Sequence, residues 1–232
     1  LLELSKSIHQ KTNGLFDPSV QPLVKEWGFL KQEGKWIDTM KLPIILTSVG
    51  LEKWEWNDTV ISKKPINGAI DFNAIAPGYA ADKIANYLRR KGIHDFYINN
   101  GGELMLSGSR PDGNPWQIGV TSPTNANSSK DFDTLYKVTD IGLATSGNYI
   151  NHFEHEGFKY SHTVSAITGM PIQTNMLSAT VLTESAALAD GFATACMAMN
   201  INEAFALLKS NGLKGYLIYR NHNNQIERRV VD

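Results

Sequence analysis

Asp71-Phe72-Asn73-Ala74-Ile75-Ala76-Pro77-Gly78-Tyr79-Ala80-Ala81-Asp82-Lys83-Ile84 reads as the end of an apolar strand, Ala69 to Ala74, entering a small-residue turn that opens a helix from Gly78 to Lys91. Pro77 fixes its own φ and suits the first turn of a helix, while Ala74, Ala76 and Gly78 leave room for a ligand against the main chain. A helix N-terminus offers unpaired N–H groups and a partial positive charge, so the junction predicts a cradle for an anion such as a pyrophosphate. An ordinary strand-to-helix connection has the same residue types, and this turn alone leaves both readings open.

Outward from the junction, Leu1, Leu4 and Ile8 keep helical spacing until Asn13-Gly14, where a left-handed cap is easy to form. A turn over Gly14 to Pro18 precedes a short helix at Val20 to Trp27 and a polar segment at Lys31 to Gly34, and Pro43 argues against a long helix from Asp38. Strands are expected at Thr59 to Ser62, Phe96 to Asn99, Glu103 to Ser107, Trp116 to Thr121, Thr134 to Thr139, Gly142 to Ser146, Phe158 to Ser165, Leu177 to Thr183, Gly215 to Tyr219 and Gln225 to Val231. Helices are expected at Glu184 to Asn200 and Asn202 to Ser210, and Ser122 to Asp131 reads as a polar, mobile loop. Clustered strands with a few helices predict an α+β fold of mixed, largely antiparallel sheets with packed helices.

A chain of 232 residues, 42% hydrophobic and 19% charged, can bury a substantial core. The formal charge of -1 and the lack of a Lys/Arg run interleaved with aromatics give no support for nucleic acid as a partner. The single cysteine, Cys196, rules out an internal disulfide framework and a cysteine-based metal site. No run of about 18 apolar residues is present to span a membrane. Walker, G-x-S-x-G and cysteine-histidine motifs are missing as well.

Chemistry-bearing residues are scattered. Asp190 and Thr194, at i and i+4, put a carboxylate and a hydroxyl on one helix face, and two hard oxygens with a backbone carbonyl would suit magnesium. His162, in Tyr160-Ser161-His162-Thr163, is of the right type for a general base or a phosphate donor, and equally for a structural hydrogen bond. Ala144-Thr145-Ser146-Gly147 and Asn99-Asn100-Gly101-Gly102-Glu103-Leu104 each join an apolar strand to a small-residue loop.

In this order the segments resemble the FAD:protein FMN transferases, the ApbE family. Carrying the resemblance are Gly14-Leu15-Phe16-Asp17-Pro18 with Pro22-Leu23-Val24 and Trp27-Gly28-Phe29, the stretch from Asp71 to Asp82, and Gly101-Gly102-Glu103-Leu104. Ala144 to Gly147, Tyr160 to Thr163 with Thr168-Gly169 and Pro171, and Ala189-Asp190 with Ala193-Thr194 complete it. The resemblance implies a single ApbE-like domain over residues 1–232, lacking the family's N-terminal segment. It implies magnesium held by the Ala74 main-chain oxygen, Asp190 and Thr194, FAD held by Leu15, Phe16, Asp17, Asp71 and Val164, and a proton-handling role for His162. The implied reaction moves FMN from FAD to a threonine or serine hydroxyl of a target flavoprotein and releases AMP, with FAD hydrolysis or flavin binding without turnover as alternatives. A cell-envelope location, periplasmic or lipid-anchored to a membrane, follows from the same source. The chain departs from the family at Pro77, where lysine is common, and at Ser165-Ala166, where Asp-Pro is common.

Overall fold

The structure is a computed structural model that describes residues 1–31, 34–123, 132–148, 152–155 and 158–232. Its helices are α1 (Leu2–Lys11), α2 (Gln21–Glu26), α3 (Leu42–Leu46), α4 (Ala76–Arg90), α5 (Ala186–Cys196) and α6 (Ile201–Ser210). Its strands are β1 (Trp54–Trp56), β2 (Ile61–Lys63), β3 (Phe96–Asn100), β4 (Glu103–Ser107), β5 (Trp116–Thr121), β6 (Phe132–Val138), β7 (Ile141–Gly147), β8 (His152–His155), β9 (Phe158–Ser161), β10 (Met176–Thr183), β11 (Lys214–Arg220) and β12 (Ile226–Val231). Most of the expected elements are present, so the α+β expectation holds. Every strand pairing among the described residues is antiparallel, in keeping with the largely antiparallel sheets expected.

A six-stranded sheet in the order β12-β11-β10-β7-β4-β3 organises the molecule. Side chains alternate across it, as the strand period requires. One face, through Ala144, Ala179, Val181 and Leu217, meets α5, whose residues are nearly all buried because α1, α4 and α6 cover its other sides. The opposite face, through Leu104, Leu106, Leu143 and Leu182, packs under the β5–β6 hairpin with Ile118 and Trp116. Ala81 and Ala85 of α4 rest on Phe96, Ile98 and Met105 at the β3–β4 edge. A separate apolar cluster joins Leu23 and Trp27 of the α2 region to Leu42 of α3 and to Val164.

Several expectations need correction. Ala69 to Ala74 is not a strand: the Asp71 N–H donates to Pro18 O at 2.7 Å, and the Ile75 and Ala76 N–H groups both turn back to Phe72 O. Its apolar residues serve burial, with Ile75 fully inside and Phe72 and Ala74 against the core, while Asp71 and Asn73 make a turn that no neighbouring strand pairs. The strand from Phe158 stops at Ser161, whose hydroxyl accepts the Thr163 N–H, and continues only as a bridge between Val164 and Pro171. β1 and β8 carry no sequence signal strong enough to have been expected. The helix from Glu184 is shorter than expected at both ends: Ser185 caps its start, its hydroxyl accepting the Leu188 N–H, and past Cys196 the Met197, Ala198 and Met199 N–H groups close i→i−3 turns instead of continuing it. No long helix runs from Asp38, as Pro43 predicts: a 3-10 turn at Thr39–Lys41 leads into the five-residue α3, with Pro43 in its first turn. Of the polar segments, residues 32–33 and 124–131 lie outside the described residues.

Candidate functional site

α4 and α5 cross at their N-terminal turns, and small residues permit the approach. A Cβ on Gly78 would lie 2.4 Å from the Ala186 carbonyl oxygen, and one on Gly142 of β7 would lie 2.3 Å from the Ala186 nitrogen. Three further bonds fix the crossing. Asp82 of α4 caps α5, its carboxylate accepting the Ser185 hydroxyl at 2.6 Å and the Ala186 and Ala187 N–H groups at 2.8 and 3.1 Å. That anion at a helix N-terminus is stabilised by the unpaired N–H groups and the dipole.

The same crossing puts the Gly78 N–H 3.2 Å from Asp190 Oδ2, across 112 residues of sequence. This bond changes the reading of the α4 N-terminus. The Ala76 N–H goes to Phe72 O, Pro77 has none, the Gly78 N–H is taken by Asp190 and the Tyr79 N–H goes to Ile75 O. No donor of the first turn remains for an anion, so the expected pyrophosphate cradle of bare N–H groups is absent. What is left over is an acceptor: the Ala74 carbonyl, to which an i→i−4 ladder would assign the Gly78 N–H, accepts no hydrogen bond among the described residues. Spare oxygens attract a cation.

Asp190 is 5% exposed. Burial, followed by the nearby charge of Glu103, pushes its carboxyl up to about 7 against the pull of the Gly78 N–H. Among the described residues no Lys, Arg or His lies within ion-pair distance of it. One turn along α5, the Thr194 hydroxyl lies 3.3 Å from that of Ser146 on β7. Burial also raises Glu103, at the β3–β4 turn. That turn is tied to α4 by Asn100, whose side-chain N–H donates to Pro77 O at 2.9 Å. A buried carboxylate lacking a cation, a hydroxyl and an unclaimed carbonyl form a hard-oxygen set that fits magnesium.

The other predicted residues fall elsewhere in the fold. Phe16 is in the core and Leu15 packs against it. Asp17 is buried and engaged: Oδ1 accepts the Ser19 N–H and hydroxyl, and Oδ2 accepts the Leu51 N–H. His9 and Glu52 come within 4.8 Å of it, but His9 Nδ1 is also 3.0 Å from Phe16 O, so the trio reads as a brace between α1 and the Gly50 turn. Asp71 accepts the Asn73 backbone and side-chain N–H groups. Val164 lies in the α2–α3 cluster, and His162 is half-buried just before it. Sequence reasoning gave Gly78 only the role of leaving room for a ligand, not that of a donor to Asp190, and assigned none to Ser146, Asn100 or Glu103. The small-residue blocks containing them were the available signal.

The profile of the ApbE family matches residues 1–217. The chain is 32% identical over 211 residues to the FAD:protein FMN transferase of Vibrio cholerae, covering 90% of this chain and 63% of that protein. It is 29% identical over 225 residues to that of Escherichia coli K12, covering 94% and 63%. The chain thus spans less than two thirds of the length of these curated relatives. Among solved structures, the flavin transferase ApbE from Vibrio cholerae superposes with a TM-score of 0.86 at 28% identity, covering 99% of this chain and 73% of that one. The Pseudomonas stutzeri flavinyl transferase ApbE gives a TM-score of 0.87 at 28% identity, covering 99% and 70%.

Proposed function

The chain belongs to the ApbE family, and on that premise we propose that it transfers the FMN half of FAD to a threonine or serine hydroxyl of a target flavoprotein, releasing AMP in a magnesium-dependent reaction. One observation carries the reading: among the described residues, the buried Asp190 carboxylate, pinned by the Gly78 N–H, has no cationic side chain within ion-pair distance, and the Ala74 carbonyl across the helix crossing accepts no hydrogen bond. Ala74 O, Asp190 and Thr194 would hold the magnesium, which when bound neutralises charge developing on phosphoryl oxygens.

The remaining roles belong to the chain's own groups. The Gly78 N–H orients the Asp190 carboxylate, and Ser146 keeps the Thr194 hydroxyl in place. Leu15, Phe16, Asp17, Asp71 and the segment around Val164 would hold FAD. The acceptor oxygen bonds to the FMN phosphorus as the pyrophosphate P–O bond breaks, AMP departs with that electron pair, and the hydroxyl proton passes to a base, a role assigned to His162. We also propose that residues 1–232 act as one domain and that the protein works at the cell envelope, periplasmic or lipid-anchored, which cell fractionation tests.

The test of function is incubation with FAD and magnesium, with and without a flavoprotein fragment, following AMP and protein-bound flavin. AMP formed only with the acceptor, together with flavin fixed to it, is the expected result. AMP formed equally without acceptor would make the protein a pyrophosphatase, and no AMP in either case would leave a flavin binder.

A further inference from the structure

The outward face of α4 bears groups that the candidate cation site does not use and that meet the core only at the partly buried Tyr79. Tyr79, Lys83, Tyr87 and Lys91 follow at four-residue spacing from the first turn to the C-cap, a winding stripe about 18 Å long at 1.5 Å per residue. The Lys83 ammonium lies 4.8 Å from the Tyr79 ring centroid and that of Lys91 5.7 Å from Tyr87's, within the range of cation–π attraction. Ile84 is 46% and Tyr87 53% exposed, with Lys83, Arg90 and Lys91 exposed beside them. Among the described residues no carboxylate lies within ion-pair distance of Lys83, Arg90 or Lys91. The helix's one acid, Asp82, is turned away to cap α5.

We propose that this face of α4 docks the acceptor protein through a segment rich in Asp and Glu, with Tyr79, Ile84 and Tyr87 receiving its apolar side chains. Three cations without carboxylate partners among the described residues set the sign of the partner, and the exposed Ile84 and Tyr87 between them are residue types that anchor interfaces. The stripe starts at Tyr79, next to Gly78, so a segment bound along it leads toward the N-terminal turn where Asp190 is held. A lipid surface is a poorer occupant. Only Ile84 and Tyr87 offer substantial apolar exposure, and Ala81 and Ala85 keep the helix on the sheet.

Calling the partner the acceptor rests on the transfer reading above; the surface itself is tested without it. The probes are two fluorescein-labelled peptides with a central threonine, one flanked by Asp and Glu and one by Lys and Arg, followed by anisotropy with no flavin present. The expected result is binding of the acidic peptide that weakens with salt, and a loss of about tenfold or more in affinity in the Lys83→Glu, Lys91→Glu double variant. Tyr87→Ser should also weaken it, and both variants should keep wild-type circular dichroism and FAD binding. Equal affinity of the wild type for the two peptides, or an unchanged double variant, would overturn the proposal. So would tighter binding to phosphatidylglycerol vesicles that the same substitutions abolish. Because the binding arm involves no turnover, failed FMN transfer and failed docking are separate results.

Discussion

Asp190 is buried, and among the described residues no basic side chain lies within ion-pair distance of it. Proton and cation therefore compete for the same oxygens. With the carboxyl pushed up to about 7, magnesium affinity should fall as pH drops below about 7 and level off above it, as isothermal titration over a pH series would show. Asp190→Asn should remove both the binding and its pH dependence; an affinity that ignores pH across that range would contradict the assignment. The stability linkage has the opposite sign from that of a salt-bridged acid. Free of metal, the folded state binds this proton more tightly than the unfolded chain does, so the contribution to stability falls as pH rises from ~4 toward about 7. Added magnesium should accordingly raise Tm more at pH above that window than below it. The residue types were legible in the sequence, since Asp190 and Thr194 sit at i and i+4. The protonation behaviour was not, because it arises from burial and from Glu103, a neighbour only in space.

At the scale of elements, the α4–α5 crossing decides what the site is. Gly78→Ala would drive a methyl into the Ala186 carbonyl, and the helices can separate only by pulling the Gly78 N–H off Asp190. A loss of about 1–3 kcal/mol in stability, with magnesium binding weakened beyond detection, is expected from denaturant unfolding and titration together. Asp82→Ala removes one of the two caps of α5, leaving Ser185, and should cost about 1–2 kcal/mol, while leaving Ala74 O, the Asp190 carboxylate and the Thr194 hydroxyl chemically intact. A midpoint shift without loss of FAD or metal binding at low denaturant would show that Asp82 braces the site rather than joining it. Pro77 marked the start of α4 in the sequence, whereas the Ser185 cap of α5 and the Asn200–Glu203 capping box of α6 set starts that the sequence reading placed at Glu184 and Asn202. Ala69 to Ala74 misled because an apolar run reports burial, and burial is supplied here by a turn rather than by a ladder.

Across the whole molecule, the β5–β6 hairpin is fastened to the far edge of the sheet by one charged knot. Arg228 of β12 donates two hydrogen bonds to Asp133 of β6, at 2.7 and 2.6 Å, and the Tyr216 hydroxyl donates a third at 2.7 Å. Its hydrogen bonds with Arg228 hold the Asp133 carboxyl below the usual carboxylate range. It therefore contributes stability above the unfolded value of ~3.9, lost as pH falls through the lowered folded value. Arg228→Ala should lower stability by about 1–2 kcal/mol at neutral pH, and the deficit should shrink in acid, measured by urea unfolding at several pH values. The sequence by itself determined most element types, the largely antiparallel character and the placing of a carboxylate and a hydroxyl, Asp190 and Thr194, on one helix face, because periodicity and side-chain chemistry are local properties. Only the tertiary structure decided that, among the described residues, the junction at Ala74 to Gly78 keeps an unpaired carbonyl and no bare N–H groups for an anion. That outcome depends on Asp190 arriving from 112 residues away to take the one donor the first turn of α4 had to spare, and hydrogen-bond pairing across a helix crossing leaves no periodicity in the chain.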